Sequence, residues 1–169
     1  MQDKRSHRVA FLAHCLLNQN AKVPGLAGRP AMIEPLVEQL LEAGVGLVQL
    51  PCPECLRFGL GRPLGEDVRE QYDEPAYRAL CAELAERAAG EAAAYLAHGD
   101  RVVCVLGVEG SPSCSVERVP TRAGLVPGSG LFMAAVAEAL RARGLALPIL
   151  GVPERGDLEP TLAALRRLA

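Results

Sequence analysis

Short apolar stretches alternate with longer segments of helical periodicity along the whole chain. Apolar runs of about four to eight residues predict buried strands. Four such runs are present: Arg8–Ala13, Val45–Leu50, Arg101–Gly107 and Leu147–Val152. The segments between them carry apolar residues at helical spacing. They predict four helices: Ala31–Ala43, Glu74–His98, Ser129–Arg143 and Leu158–Leu168.

This alternation of strand and helix is typical of a parallel sheet with helices on both faces. Because crossovers between parallel strands are right-handed, few topologies are compatible with it. The sequence therefore predicts an α/β fold: a small doubly wound, Rossmann- or flavodoxin-like parallel sheet of about four strands. At 169 residues, the length suits one domain. We expect a single domain over residues 1–169, in which 153–169 ends as a packing helix.

Three connections in this pattern are long, and all three follow the carboxyl ends of predicted strands. They are His14–Pro30, Pro51–Asp73 and Val108–Gly128. The opposite edge of the sheet has only short turns, such as Gly144–Ala146. Open α/β sheets bind ligands at the carboxyl edge, and long loops in compact domains are usually functional. We therefore expect the functional site at that edge.

Charge and hydropathy limit the partners. A net charge of −2, with arginines scattered among glutamates, offers no basic face to a phosphate backbone, so we expect no nucleic-acid partner. No apolar run reaches the roughly 18 residues of a membrane span, and Gln2–Arg8 is too polar for a secretory signal. We expect a cytoplasmic protein without a membrane partner. In that reducing compartment its six cysteines should not form disulfides.

Three of the cysteines follow three successive predicted strands. Cys15, Cys52 and Cys114 each lie in one of the long loops, whereas Cys81 and Cys104 fall inside a helix and a strand. The latter two are expected to be small buried apolar residues. Three thiolates from three loops can bind zinc, or an iron–sulfur cluster with one iron left open.

Two further residues bear on the ligand count. His14, beside the first loop cysteine, could be a fourth zinc ligand. Cys55 forms a C-x-x-C pair with Cys52, a spacing found in redox dithiols and in metal sites. Cys55 is therefore a spare thiol, a fourth ligand or a resolving cysteine.

Short motifs around the loop cysteines resemble the thiouracil desulfidase family. They are Cys15-Leu16-Leu17, Cys52-Pro53-Glu54 and Ser111-Pro112-Ser113-Cys114, accompanied by Gly59–Pro63, Gly107–Gly110 and Gly130–Phe132. Two stretches depart from the thiouracil pattern. Asn18–Lys22 stands where a second cysteine and Arg-Tyr-Asp-Gly are usual, and Cys55–Phe58 replaces a double glycine. With Gln71–Asp73 as a further shared stretch, the chain is most similar to a related subgroup of desulfidases.

The resemblance implies an enzyme, a [4Fe-4S]-dependent desulfidase that cleaves a C–S bond in a thiolated, nucleobase-like small molecule such as 2-thiouracil. It implies that Cys15, Cys52 and Cys114 are the cluster ligands, and that the open iron captures the sulfur. It also implies that Glu54 and Ser111 are catalytic and assist the substrate and a water, with Glu54 as general acid or base.

Two other functions remain compatible with the residues alone. One is a non-enzymatic metal or redox-sensing module, in which Cys52 and Cys55 form a switchable pair. The other is a hydrolase with Cys114 or Cys15 as nucleophile and His14 as base. A sensor has no need of a carboxylate beside an open metal position, which favours the desulfidase.

The remaining polar residues of the motifs have ordinary structural roles in our expectation. Ser113 is expected to shape a turn with Pro112. Glu109 and Arg62 could face the same crevice, although the base expectation for both is a surface charge.

Overall fold

A computed structural model describes residues 3–169 of the chain. Its main sheet has four parallel strands, β1 (Arg8–Leu12), β2 (Gly46–Gln49), β3 (Arg101–Val108) and β6 (Ile149–Val152). Their order across the sheet is β2-β1-β3-β6. A separate antiparallel hairpin consists of β4 (Arg118–Thr121) and β5 (Gly124–Pro127). The predicted α/β fold with a parallel sheet of about four strands is confirmed.

Four long helices flank the sheet, and they correspond to the four predicted ones. They are α2 (Glu34–Glu42), α5 (Pro75–Ala97), α6 (Leu131–Ala142) and α7 (Glu159–Leu168). The first begins at Glu34 rather than at the predicted Ala31, and Pro35 lies in its first turn. A proline is tolerated there because the first N–H groups of a helix have no intrahelical partner.

The long connections contain regular structure that the sequence pattern did not predict. Three short α-helices lie in them, namely α1 (His14–Leu17), α3 (Pro53–Phe58) and α4 (Arg69–Tyr72), and a single 3₁₀ turn covers Gln19–Ala21. The loop after β3 contains the β4–β5 hairpin. These elements are three to six residues long, which is too short for a periodic apolar pattern to reveal them.

The strand order explains where a site can form. The chain moves from β1 outward to β2 and then returns across β1 to β3. Because crossovers between parallel strands are right-handed as a rule, this reversal places α2 on one face and α5 on the other. Helix α5 packs against α6, and α2 against α7. The loops after β1 and β3 consequently diverge and leave a crevice between them, as is usual where strand order reverses.

The core is built around β3, which is buried from Val102 to Val108. A continuous apolar run of this kind is typical of a parallel strand covered on both faces. Among residues 3–169, no helix is both long and apolar enough to cross a bilayer.

Candidate functional site

A cavity of about 390 Å³ opens at the carboxyl edge of the sheet. Its wall includes Cys15, Cys52 and Cys114, so that each of the three long loops contributes one thiol. Cys81 and Cys104 do not line the cavity and are buried in α5 and β3. The structure thus brings together the three cysteines that the sequence singled out.

Each thiol is positioned by local backbone structure. Cys15 lies in α1, directly after β1. Cys52 is the N-cap residue of α3, and its Sγ accepts the N–H of Cys55 at 3.5 Å. The loop of Cys114 folds back over β3, where the Val108 N–H donates to the Cys114 carbonyl at 2.8 Å. Gly107 permits this approach, because a Cβ there would lie 2.4 Å from the Cys114 carbonyl oxygen.

The thiols are withdrawn from water. Desolvation raises the pKa of Cys15 to about 12 and also raises the pKa of Cys52. It raises the pKa of Cys114 too, and the neighbouring Cys15 and Cys52 add to that effect. Without a bound metal, these groups are protonated at neutral pH and are weak nucleophiles. This environment disfavours the cysteine hydrolase.

His14 does not support a hydrolase or a fourth ligand either. It is absent from the cavity wall, and no side-chain hydrogen bond joins it to Cys15 in the described part of the chain. A nucleophile–base pair requires hydrogen-bond contact between its members.

The spacing of the three sulfurs bears on which metal group they fit. Within residues 3–169, the only group of three His, Cys, Asp or Glu side chains whose ligand atoms all lie within 4.8 Å of one another is His7, His98 and Asp100. At least one pair of the three loop-cysteine sulfurs is therefore more than 4.8 Å apart. Sulfurs on one tetrahedral zinc lie about 3.8 Å apart, given a Zn–S bond of about 2.3 Å. The three thiols are thus not arranged around a single zinc position, and soft thiolate donors are also the usual ligands of iron–sulfur clusters.

Beside Cys52, Glu54 is buried in a chain of hydrogen bonds. It is 7% exposed, and its Oε1 accepts the Ser113 hydroxyl at 2.7 Å. The Tyr77 and Ser113 hydroxyl oxygens lie 2.6 Å apart. Because Ser113 gives its proton to Glu54, Tyr77 must donate to Ser113. Burial raises the pKa of Tyr77, which keeps its hydroxyl protonated for that purpose.

Arg62 completes the environment of Glu54. Its Nε and Nη2 both lie 3.1 Å from Glu54 Oε2. The remaining guanidinium N–H groups donate to Cys55 Sγ and to the carbonyls of Gly59 and Ala21. Arg62 is 5% exposed, so the expectation of a surface charge was wrong. Its burial is possible because the carboxylate and the carbonyls together satisfy the cation.

Cys55 lies behind the cavity surface, where it contacts Arg62. Its Sγ donates to the Ala21 carbonyl at 3.1 Å and accepts from Arg62 Nη1 at 3.2 Å. It does not line the cavity. Cys55 thus links α3 to the loop after β1.

The two serines of the Ser-Pro-Ser-Cys motif have different positions. Ser111 lines the cavity, and its Oγ accepts the N–H groups of Ser113 at 3.3 Å and Cys114 at 3.0 Å. The turn is therefore stabilised by the Ser111 side chain, whereas that of Ser113 binds Glu54. In the described residues the Ser111 hydroxyl proton has no acceptor, so it is available to a ligand in the cavity.

Three further charged residues of the cavity wall, Glu109, Lys22 and Glu154, are bonded within the protein. Glu109 accepts the backbone N–H groups of Val116, Glu117 and Arg118, which contradicts its expected role as a surface charge and orders the start of the β4–β5 hairpin. Lys22 forms an ion pair with Glu154. The buried Gln19 donates to Glu154 at 2.9 Å and to the Cys15 carbonyl at 2.7 Å. Sequence reasoning missed Gln19 and Glu154, because no local pattern marks a contact across 135 residues.

Comparison with known proteins gives two matches. The chain is 33% identical to an uncharacterized protein of Methanocaldococcus jannaschii over 112 residues, which is 66% of this chain and 70% of that protein. A solved structure of a [4Fe-4S]-dependent thiouracil desulfidase matches with a TM-score of 0.58 and 24% identity, covering 96% of this chain and 99% of that one. No family model matches. The structural match shows a shared fold.

Proposed function

We propose that this chain, which belongs to the same family as the Methanocaldococcus jannaschii protein, is a [4Fe-4S]-dependent desulfidase acting on a thiolated, nucleobase-like small molecule. One observation carries the proposal: three thiols from three separate loops line one cavity at the carboxyl edge of the sheet. The fold shared with a thiouracil desulfidase supports it.

Cys15, Cys52 and Cys114 would hold the cluster, because soft thiolates are the usual ligands of iron–sulfur centres. With three protein ligands, one iron keeps an open position, and the bound cluster would supply a Lewis acid there for a thiocarbonyl sulfur. The overall reaction replaces the sulfur of the thiocarbonyl by the oxygen of water and releases hydrogen sulfide. It needs no external oxidant or reductant.

Glu54 is the residue we assign to the attacking water. Its carboxylate lies in the cavity wall, two positions after Cys52, and Arg62 and Ser113 fix both of its oxygens. A base held in this way accepts a hydrogen bond from water, and then its proton, without reorganising. Arg62 and Ser113 are positioning residues, since they act through Glu54.

Ser111 is the residue we assign to the substrate. Its oxygen is held by two backbone N–H groups, which leaves the hydroxyl proton directed at neither. In the proposal this proton is donated to a polar ring atom of the substrate. Leu125, Val23 and Leu26 in the same wall provide apolar surface for the ring.

Anaerobic reconstitution with iron and sulfide, followed by incubation with 2-thiouracil, tests the proposal. We expect brown protein with the broad visible absorption of an iron–sulfur cluster, and equimolar release of sulfide and uracil. Colourless protein that carries zinc and releases no sulfide from any thionucleobase would contradict it. Cluster absorption without sulfide release would instead favour a redox-sensing module.

A further inference from the structure

Four carboxylate groups line the cavity, and three of them are satisfied by the protein. The four are Glu54, Asp67, Glu109 and Glu154. Glu54 binds Arg62 and Ser113, Glu109 accepts three backbone N–H groups, and Glu154 binds Lys22 and Gln19. Over residues 3–169, no group donates a hydrogen bond to the carboxylate of Asp67, and it forms no ion pair.

The backbone of Asp67 is held in an uncommon conformation. Its φ is +51°, in the left-handed region that residues with a Cβ rarely adopt, although Asp tolerates it better than most. The Gln71 side chain fixes this turn, because its Oε1 accepts the N–H groups of Glu66 at 2.6 Å and Asp67 at 2.9 Å. Uncommon conformations of this kind persist at sites where the protein positions a particular side chain.

The surroundings of Asp67 make an unpartnered carboxylate there costly in free energy. Asp67 is half-buried, and desolvation together with the charge of Glu54 raises its pKa. Of the cations that line the cavity, Lys22 and Arg62 are already engaged by Glu154 and Glu54, and Arg155 forms no ion pair with Asp67 over residues 3–169. A ligand that brings an N–H donor would relieve this cost, because hydrogen bonds to an ionised acceptor are among the stronger ones.

We propose that Asp67 is a specificity-determining residue whose carboxylate accepts a ring N–H beside the thiocarbonyl, so that the substrate class is a cyclic thioamide with a free N–H. This inference rests on the proposed function. A thionucleobase has such an N–H next to its C=S group, whereas an N-alkylated thione does not. A site that holds an acceptor for that proton discriminates against the alkylated analogue, because the acceptor is then left unpaired.

The test compares 2-thiouracil with 1,3-dimethyl-2-thiouracil in reconstituted wild-type, Asp67→Asn and Asp67→Gly proteins. Both replacements suit the left-handed backbone, Asn because it tolerates it and Gly because it has no Cβ. Glu66→Gln is the matched control, since it removes the same charge from the neighbouring residue, which is paired with Arg122 outside the cavity.

We expect the wild type and Glu66→Gln to prefer the N–H substrate by about 10- to 100-fold in kcat/KM, the value of a hydrogen bond to a charged group. Asp67→Gly should lose most of this preference, chiefly by a higher KM for 2-thiouracil, with cluster absorption unchanged. The same preference in Asp67→Gly as in the wild type overturns the inference.

A binding measurement separates this result from failure of the proposed function. If reconstituted wild type releases no sulfide from either thione, the desulfidase proposal fails. Calorimetry with uracil on the anaerobically purified full chain then tests Asp67 alone. We expect uracil to bind the wild type and Glu66→Gln at least about 10-fold more tightly than Asp67→Gly. Equal binding in all three, or no binding to the wild type, overturns the inference.

Discussion

The two edges of the sheet differ in how far the charged side chains there are buried. At the carboxyl edge, Glu54 and Arg62 are almost fully buried, and each is bonded on several sides. At the amino edge, Asp100 accepts from His7 Nδ1 at 2.6 Å and from His98 Nδ1 at 2.9 Å. Those histidine side chains are 46% and 58% exposed. Both edges hold a hydrogen-bonded carboxylate with little exposure, and only at the carboxyl edge is the side chain that pairs with it also withdrawn from water.

Loop length accounts for the difference. His98 caps the end of α5, Gly99 makes the turn at a φ of +92°, and Asp100 directly precedes β3. A turn this short contains too few residues to cover its polar groups. The loop after β2 is long enough to bury Glu54 and to return Arg62 onto it. Burying charged groups costs free energy. The long loops therefore mark the part of the fold where side chains are buried for chemistry rather than for stability.

The largest effect on stability should come from removing the buried cation. Arg62→Met would leave Glu54 buried without its partner, and we expect the free energy of unfolding to fall by about 3–5 kcal/mol. Chemical denaturation monitored by circular dichroism measures this change. Arg57→Met, in an exposed ion pair with Glu74, should cost no more than about 1 kcal/mol. Equal losses of unfolding free energy in the two variants would contradict a larger contribution from the buried ion pair than from the exposed one.

The next effect concerns turnover rather than stability. Glu54→Gln replaces the carboxylate by an amide that cannot accept a proton from water, and we expect sulfide release to slow by at least about 100-fold, as for a lost general acid–base group. Cluster absorption should stay at the wild-type level. Glu66→Gln removes a carboxylate from the exposed rim and should keep full turnover. If Glu54→Gln also keeps full turnover, Glu54 is only a wall residue and Ser111 becomes the next candidate.

A smaller effect should distinguish the two serines. Ser113→Ala breaks the hydrogen-bond chain from Tyr77 to Glu54 and leaves both partners unsatisfied, so we expect a loss of about 1–3 kcal/mol in the free energy of unfolding. Ser111→Ala removes a side-chain acceptor for two N–H groups of the Cys114 turn. We therefore expect Ser111→Ala to raise the KM for the substrate and to leave the hydrogen bonds of Glu54 in place. Unfolding midpoints and sulfide-release kinetics of the pair measure both effects, and identical profiles would count against separate roles.

The smallest effect should come from the amino edge. Hydrogen bonds from His7 and His98 lower the pKa of Asp100. A lowered folded-state pKa contributes stability above the unfolded value of about 3.9, and this contribution is lost as the pH falls through the folded-state pKa. The difference in unfolding midpoint between wild type and Asp100→Asn should therefore shrink below about pH 4. A difference in unfolding midpoint that grows as the pH falls would contradict a lowered pKa of Asp100 in the folded state.

The sequence predicted the framework and the edge of the site, because both follow from patterns that are local in the chain. Apolar runs marked β3, and three cysteines after three strands had to meet at one edge. The bonds of Arg62 and Ser113 to Glu54 escaped prediction for a physical reason. The roles of both residues depend on Glu54, which lies 8 and 59 residues away, and nothing adjacent to either residue marks that partner.

The hairpin and the short helices escaped prediction for a different reason. Prolines at 120 and 127 lie in β4 and β5 and argue against strands, although a two-stranded hairpin tolerates them at its edges. In α3 the Cys-Pro-Glu motif also starts a helix, with Cys52 as its N-cap. A chemical motif and a structural signal thus coincide in the same three residues.

The iron content of anaerobically reconstituted protein, measured for single replacements of each of the six cysteines by Ala, tests most directly whether the three thiols of the carboxyl edge hold the cluster. We expect about four irons per chain in the wild type. Three variants should keep them, namely Cys55→Ala, Cys81→Ala and Cys104→Ala. Three should lose iron and sulfide release together while remaining folded, namely Cys15→Ala, Cys52→Ala and Cys114→Ala. Full iron and full sulfide release in any of these last three would contradict a cluster held by the three loop cysteines.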